Sequence, residues 1–231
     1  MNVVSPLQEA RASYPLSLPA VLKDIATVSL EEGDVVTPKR DVESLAELFP
    51  NIASQPLARF VVGTEPVEHT QKRVGVVLSG GQAPGGHNVI AGIFDGLKAL
   101  CKESILYGFL GGPSGIVDNK VVELTYEALE AYRNQGGFDL IGSGRTKIES
   151  EQQFAAVEKT IKDLKLDTIV VIGGDDSNTN AALLAEYCAE RGMATTVVGV
   201  PKTIDGDLKN EYIEVSFGFD TATKVYSELI G

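Results

Sequence analysis

The chain has 231 residues, 43% of them hydrophobic and 23% charged, values ordinary for a globular protein and enough for one large α/β domain with an extension. A formal net charge of −12 argues against nucleic acid or an anionic membrane as the main partner. No apolar run approaches the roughly 18 residues that a spanning helix needs, and Met1-Asn2-Val3-Val4-Ser5-Pro6 lacks the basic and apolar regions of a secretory signal, so the expected location is cytoplasmic.

Residues 1–72 hold Pro6, Pro15, Pro19, Pro38, Pro50, Pro56 and Pro66, seven of the ten prolines, and therefore read as an extension with short elements. A helix is expected over 41–48, capped by Asp41 or Ser44. This segment should lie on the surface of a domain or of a partner subunit, and it carries no recognisable chemistry.

From Arg73 onward, strands and helices alternate. Val74-Gly75-Val76-Val77-Leu78 is a continuous apolar strand, followed by a glycine-rich turn and a helix over 87–100. A second strand, 104–109, ends in Gly111-Gly112-Pro113. A hairpin is expected to turn at Asp118-Asn119 between arms at 115–117 and 121–123. A helix, a short strand at 138–141, the loop Gly142-Ser143-Gly144-Arg145-Thr146-Lys147 and a helix over 151–164 follow. Two further apolar strands, ending near Gly173 and Pro201, bracket a helix over 177–191. Apolar strands separated by helices of this length imply parallel pairing with both faces covered. The expected fold class is α/β, a doubly wound, mostly parallel sheet. Tyr107, Phe109, Tyr126, Phe138 and Phe154 fall at core-like positions, whereas His69 and His87 have no metal spacing and read as structural or exposed. Cys101 and Cys188 also lack metal or redox spacing. Both fall at helical positions, where buried free thiols are expected.

Three strand ends carry candidate chemistry. Ser79-Gly80-Gly81-Gln82-Ala83-Pro84-Gly85-Gly86-His87-Asn88 could turn backbone N–H groups toward an anion at a helix start, or could be a tight turn only. It is neither a Walker A loop nor a dinucleotide fingerprint. Val170-Val171-Ile172-Gly173-Gly174 ends in Asp175-Asp176-Ser177. Asp175 can hold Mg²⁺ bridged to phosphate oxygens, and Asp176 or Ser177 can cap the following helix. The last strand runs into Pro201-Lys202-Thr203-Ile204-Asp205-Gly206-Asp207, where Lys202 could reach a phosphate or stay solvated. Asp205 or Asp207 could serve as base for an attacking hydroxyl, with Thr203 orienting the acceptor. Arg145 and Lys147, at another strand end, are candidate phosphate clamps. Ligands of open α/β sheets bind outside such strand ends. Four aspartates and a lysine are thus expected around one divalent cation, and phosphoryl transfer is the leading chemistry.

Gly80-Gly81 with Ala83-Pro84-Gly85 and Asn88, then Gly173-Gly174-Asp175-Asp176, then Pro201-Lys202-Thr203-Ile204-Asp205-Gly206-Asp207 together resemble the phosphofructokinase family over residues 73–231. Within it the chain is similar to the pyrophosphate-dependent branch of the long type, because ATP-using members typically carry Gly where Asp176 and Lys202 stand. The resemblance implies two segments, 1–72 as N-terminal extension and 73–231 as a donor-binding α/β domain. It implies Gly81, Gly80 and Arg145 at the donor pyrophosphate, Asp175 on Mg²⁺, and Asp176 excluding ATP. It further implies Lys202 stabilising the transition state, Asp205 as base, and Thr203, Ile204 and Asp205 at fructose 6-phosphate, with Asp207 supporting the metal or the loop. One residue more separates Pro84-Gly85 from Asn88 than in many ATP-using members.

The activity so implied is reversible Mg²⁺-dependent transfer of a phosphoryl group from pyrophosphate to the 1-hydroxyl of fructose 6-phosphate, a glycolytic step. The assembly implied is a homo-oligomer such as a dimer, or a hetero-oligomer with a related subunit. The family's Met-Gly-Arg motif and the later arginines and histidine that grip the sugar phosphate are missing, so the chain reads as the donor-side portion of a longer enzyme. Two alternatives stand beside this one. An ATP- or polyphosphate-using kinase of the NAD kinase type also has a Gly-Gly-Asp turn, but the segment from Pro201 argues against it. A non-catalytic regulatory subunit would be expected to have lost the acids retained at Asp175, Asp205 and Asp207.

Overall fold

Arg73–Ser79 is the central strand of the molecule because nearly every side chain on it is apolar: Val76, Val77 and Leu78 are fully buried. The computed structural model describes residues 4–14, 17–38, 40–83, 85–205 and 219–231. In chain order the elements are α1 (Pro6–Ala12), β1 (Val28–Val35), α2 (Val42–Leu48), β2 (Pro56–Val62), β3 (Arg73–Ser79) and α3 (Gly86–Leu100). They continue with β4 (Ile105–Phe109), α4 (Pro113–Val117), β5 (Val121–Glu123), α5 (Tyr126–Glu130), β6 (Ser143–Gly144) and α6 (Glu151–Leu164). The last are β7 (Thr168–Gly173), α7 (Asp175–Glu190), β8 (Thr196–Pro201) and α8 (Phe219–Ile230).

The main sheet has the order β5-β4-β3-β7-β8, with the short β6 pairing onto the end of β3. All pairings are parallel except that of the edge strand β5 with β4. Strand alternation sends successive side chains to opposite faces. Val76, Leu78, Val170 and Ile172 therefore pack with Ile90 and Phe94 of α3 and Leu129 of α5. Val77, Ile169 and Val171 pack on the other face with Ile116 of α4, Val157 and Ile161 of α6, and Leu184 of α7. Helices cover both faces, as expected of a doubly wound fold. The start of α6 is fixed by a capping box in which Ser150 and Gln153 satisfy each other's backbone N–H groups.

Ahead of this domain, β1 and β2 form a separate antiparallel pair in which Leu30 faces Phe60 and Val28 faces Val62. The segment is fastened to the domain by Glu186 of α7. That carboxylate is buried and accepts hydrogen bonds from the backbone N–H groups of Asn51 and Ile52.

Several local expectations give way to backbone chemistry. Residues 115–117 are not a hairpin arm but the end of α4, because Pro113 suits a first helical turn and Gly112, at φ 86°, lets the chain enter it. The strand expected at 138–141 is a 3-10 turn over Phe138–Leu140, closed by Gly142 N–H donating to Phe138 O at 2.7 Å, and the strand itself falls at β6. Asp41 precedes α2 in the left-handed region and makes no side-chain cap, and Ser44 lies inside the helix. Helix α7 begins at Asp175 behind Gly174, so neither Asp176 nor Ser177 caps it.

Tyr126 is 57% exposed and not core, whereas Phe109 is buried and Tyr107, Phe138 and Phe154 pack half-buried against the two cores. His87 is buried and accepts the Gly136 N–H at Nε2. His69 Nε2 has no hydrogen-bond partner among the described residues. Cys101 stands one residue beyond α3 and is only half-buried. Cys188 is buried, which pushes its thiol up to about 11, and both cysteines are free. Among the described residues no helix is long and apolar enough to cross a membrane.

Candidate active site

The chain leaves β3 toward β4 on one side, while β7 pairs on the other, so the crevice between the ends of β3 and β7 is the topological switch point of the sheet. Three loops meet there with the first turn of α7. Gly80, at φ 86°, donates its N–H to Gly144 O at 2.8 Å and accepts from Ser143 Oγ at 2.7 Å, which ties the loop after β3 to the loop after β6. Ser79 and Ser177 share a buried hydroxyl hydrogen bond of 2.8 Å, which ties β3 to α7. Gly173 has no space for a side chain, because a Cβ there would stand 2.5 Å from Ser177 Oγ and 3.0 Å from Ser79 O.

Two cavities open at this junction. One, of about 190 Å³, is lined by Gly173, Gly174, Asp175, Asn178, Pro201, Lys202 and Thr203. The other, of about 230 Å³, includes Gly80, Arg145, Lys147, Asp176, Ser177 and Asn180 in its wall. The adjacent acids are therefore separated: Asp175 belongs to the first cavity and Asp176 to the second. Asp175 Oδ1 accepts the Asp176 N–H at 2.8 Å, and Asp176 pairs with Lys147 at 3.5 Å in an exposed ion pair.

Lys202 joins the two sides. Its backbone N–H donates to Gly173 O at 2.7 Å, and its ammonium donates to Gly81 O while standing 5.5 Å from the Phe138 ring centre. Burial is the main cause that lowers its pKa. The Arg145 charge adds to that, and Asp205 opposes it. Arg145 itself lies against Gly81, since a Cβ on that glycine would stand 3.2 Å from a guanidinium nitrogen. Gly81, Arg145 and Lys202 thus converge on one spot, a cationic wall to which glycine backbone is accessible.

Thr203 lines the Asp175 cavity, and its hydroxyl accepts the Asp205 N–H at 3.1 Å. Ile204 and Asp205 are exposed beyond it. Gly206 and Asp207 lie outside the described residues. The expected ring of four aspartates is not what the described residues form. They contain no group of three or more His, Cys, Asp or Glu side chains placed to hold a metal. What they offer is one carboxylate, Asp175, in a cavity that Lys202 also lines. That donor set fits Mg²⁺, which commonly takes one or two carboxylates together with substrate phosphates and water.

The residues that hold this geometry escaped the sequence reading. Asn178 Nδ2 lies 2.8 Å from both Gly173 O and Gly174 O. Asn180 brackets Ile148 with its side-chain amide, accepting from the N–H at 3.1 Å and donating to the carbonyl at 2.6 Å, and so anchors the loop that carries Arg145. A signal was present. Ser177-Asn178-Thr179-Asn180 are poor helix formers at the head of a helix that continues with alanines, which marks side chains used for something other than propensity.

Fold and site define a doubly wound α/β domain with a glycine-lined, cation-bearing crevice at its switch point. A family model described as Phosphofructokinase matches residues 73–231, and the chain belongs to that family. A protein of Treponema pallidum (strain Nichols) named pyrophosphate–fructose 6-phosphate 1-phosphotransferase is 56% identical over 238 residues, covering 99% of this chain and 42% of its own length. An Arabidopsis thaliana relative named as subunit beta 2 of that enzyme is 52% identical, covering 100% of this chain and 40% of its own. Among solved structures, Pichia pastoris phosphofructokinase in the T-state superposes with a TM-score of 0.53 at 25% identity, over 72% of this chain and 19% of that one. The chain spans about two fifths of the length of the curated relatives it matches.

Proposed function

We propose that the protein carrying this chain transfers a phosphoryl group reversibly between pyrophosphate and the 1-hydroxyl of fructose 6-phosphate, and that residues 73–231 are its donor-binding domain, with 1–72 an extension. The observation that carries the reading is that Lys202 and Arg145 meet at Gly81 while Asp176 lines the cavity that Arg145 shares. Two cations thus stand at the Gly81 backbone, where a pyrophosphate would be held, and a carboxylate stands beside them where a further phosphate would be repelled. The relatives named for pyrophosphate-dependent transfer, at 52–56% identity, support it.

In this reading Gly80 and Gly81 present backbone to the donor, and Arg145 and Lys202 balance charge on the transferring group, for which the protein needs positioning and electrostatics more than covalent chemistry. Asp205 accepts the proton of the attacking hydroxyl, while Thr203 and Ile204 face the sugar phosphate. Asp175 would hold Mg²⁺, which when bound neutralises and bridges phosphate oxygens. Asp176 repels the additional phosphate of a nucleoside triphosphate. The enzyme is expected to work in the cytoplasm as a homo-oligomer, or with a related subunit as the Arabidopsis relative's name suggests. The test is a direct comparison of pyrophosphate and ATP as donors for the full-length protein, followed by Asp176→Gly with Lys202→Gly. Pyrophosphate turnover should dominate and should collapse in the double variant. A wild-type preference for ATP, or unchanged kinetics in the variant, would reject the donor assignment.

A further inference from the structure

We infer that Asn178 is a positioning residue for the transfer site: its side-chain amide holds the Gly173 and Gly174 carbonyls back from the cavity that Asp175 and Lys202 line, and sets those two residues in one frame. This deepens the pyrophosphate reading and rests on it.

The Gly173-Gly174 turn has no side chains of its own to fix it, and glycine gives the backbone the widest freedom of any residue. Yet the turn carries Asp175 directly and Lys202 through a backbone hydrogen bond. Asn178 removes that freedom. Its Nδ2 lies 2.8 Å from both carbonyl oxygens. Gly173 O receives a second hydrogen bond, at 2.7 Å, from the Lys202 N–H, and Gly174 O a second, at 2.9 Å, from the Asn178 N–H. Each carbonyl oxygen thus accepts two hydrogen bonds, so neither is free to turn toward an anion in the cavity beside it. The amide is itself fixed from behind. Its Oδ1 is packed so close to β8 that a Cβ on Gly199 would stand 2.3 Å from it, so the glycine there makes room for the amide.

Asn178 lines the same cavity as Asp175, Lys202 and Thr203, and it belongs to the same helix as Ser177 and Asn180, which hold the neighbouring loops. A substrate-sized error at the Gly-Gly turn would move the carboxylate and the ammonium together. Misplacement of reacting groups by about 1 Å costs up to about 100-fold in rate.

The experiment compares wild-type full-length protein with Asn178→Ala, Asn178→Asp and Gly199→Ala. The aspartate keeps the shape but turns a carboxylate on two carbonyls. The alanine at 199 leaves Asn178 in the sequence and displaces its amide. In all three, kcat with pyrophosphate should fall about 10–100-fold, with the KM for fructose 6-phosphate held within about twofold. Amide exchange at the Lys202 N–H should accelerate about tenfold, as one of its acceptor's restraints is lost.

A purely structural asparagine would lower thermal stability without separating kcat from that KM. Folded Asn178→Asp and Gly199→Ala proteins with wild-type kcat and unchanged Lys202 exchange would overturn the inference. Should Asn178→Asp not fold, Gly199→Ala decides. Absence of any pyrophosphate turnover in the wild type would sink the functional reading instead. Exchange at Lys202 and Asp175 in Asn178→Ala would then decide the positioning role, with unchanged rates overturning it.

Discussion

Replacing Glu186 by alanine should release the 49–55 turn from α7 without touching catalysis. The carboxylate is 4% exposed and serves three donors: the Asn51 N–H at 3.1 and 3.2 Å to its two oxygens, Asn51 Nδ2 at 2.5 Å, and the Ile52 N–H at 3.2 Å. A hydrogen bond to a charged group contributes about 1.5–3 kcal/mol when its partner would otherwise be stranded. The three share one acceptor and do not add. Asn51 itself is exposed, so water replaces part of what is lost. A net loss of about 2–3 kcal/mol follows, which is about 30- to 150-fold in the equilibrium constant for local opening. Native-state amide exchange of residues 49–55 reads this directly, and Asn51 and Ile52 should lose protection by that factor. Glu186→Gln, which keeps one acceptor oxygen, should fall between. Eleven residues of helix, about 16 Å, separate Glu186 from Asp175, so kcat should stay at the wild-type value. Protection changed by less than threefold in Glu186→Ala would show that the carboxylate is not what holds the extension, and the three hydrogen bonds would have to be discounted.

His87 gives a pH signature. Burial lowers its pKa below the ordinary 6.5 by disfavouring the charged ring, so the unfolded chain takes up a proton before the folded one does. This contribution is whole above the ordinary histidine pKa and is lost as pH falls below it. Urea midpoints measured at decreasing pH should drop more steeply for wild type than for His87→Gln, and parallel slopes would refute the assignment. At Gly112 the backbone has φ 86°, and a Cβ would stand 2.3 Å from the Gly144 backbone nitrogen. Gly112→Ala should therefore lower the melting temperature sharply, by more than Gly111→Ala, whose Cβ meets nothing within 4 Å although its φ is also positive. Equal losses at the two positions would mean that strain in φ alone is at work.

The layered architecture was legible because its strands are continuous apolar runs and its helices are long enough to read by period. β3, α6 and α3 fall within a residue of where the residues suggest, and β7 starts two residues earlier, at Thr168. What was not legible depends on contacts distant in sequence. The hairpin at 115–123 failed because Pro113 and the close approach of Gly115 to Leu110 O favour a helical turn, a constraint that no pattern of β-branched residues reveals. The strand at 138–141 failed because glycines on both sides let the chain fold into a 3-10 turn. The candidate site was legible in its residue types, while the expected convergence of its acids overlooked that Asp175 and Asp176 begin a helix. Consecutive residues of a helix point about 100° apart, which is why they fall into different cavities.

That helix start also bears on how acids can stand in the donor site proposed above. Asp175 and Asp176 stand in the first turn of α7, at the positive end of its dipole, and Asp176 also faces Lys147 at 3.5 Å. The same end would ordinarily attract a phosphate, and two fixed carboxylates cancel that attraction. In the proposed reaction an anion entering the crevice would therefore be held where Lys202, Arg145 and the Gly81 backbone meet, and would approach Asp175 together with a cation. On that proposal a helix start that would otherwise bind bare phosphate becomes one that favours phosphate with its metal, and the adjacent carboxylates at the N-terminus of α7 account for the difference.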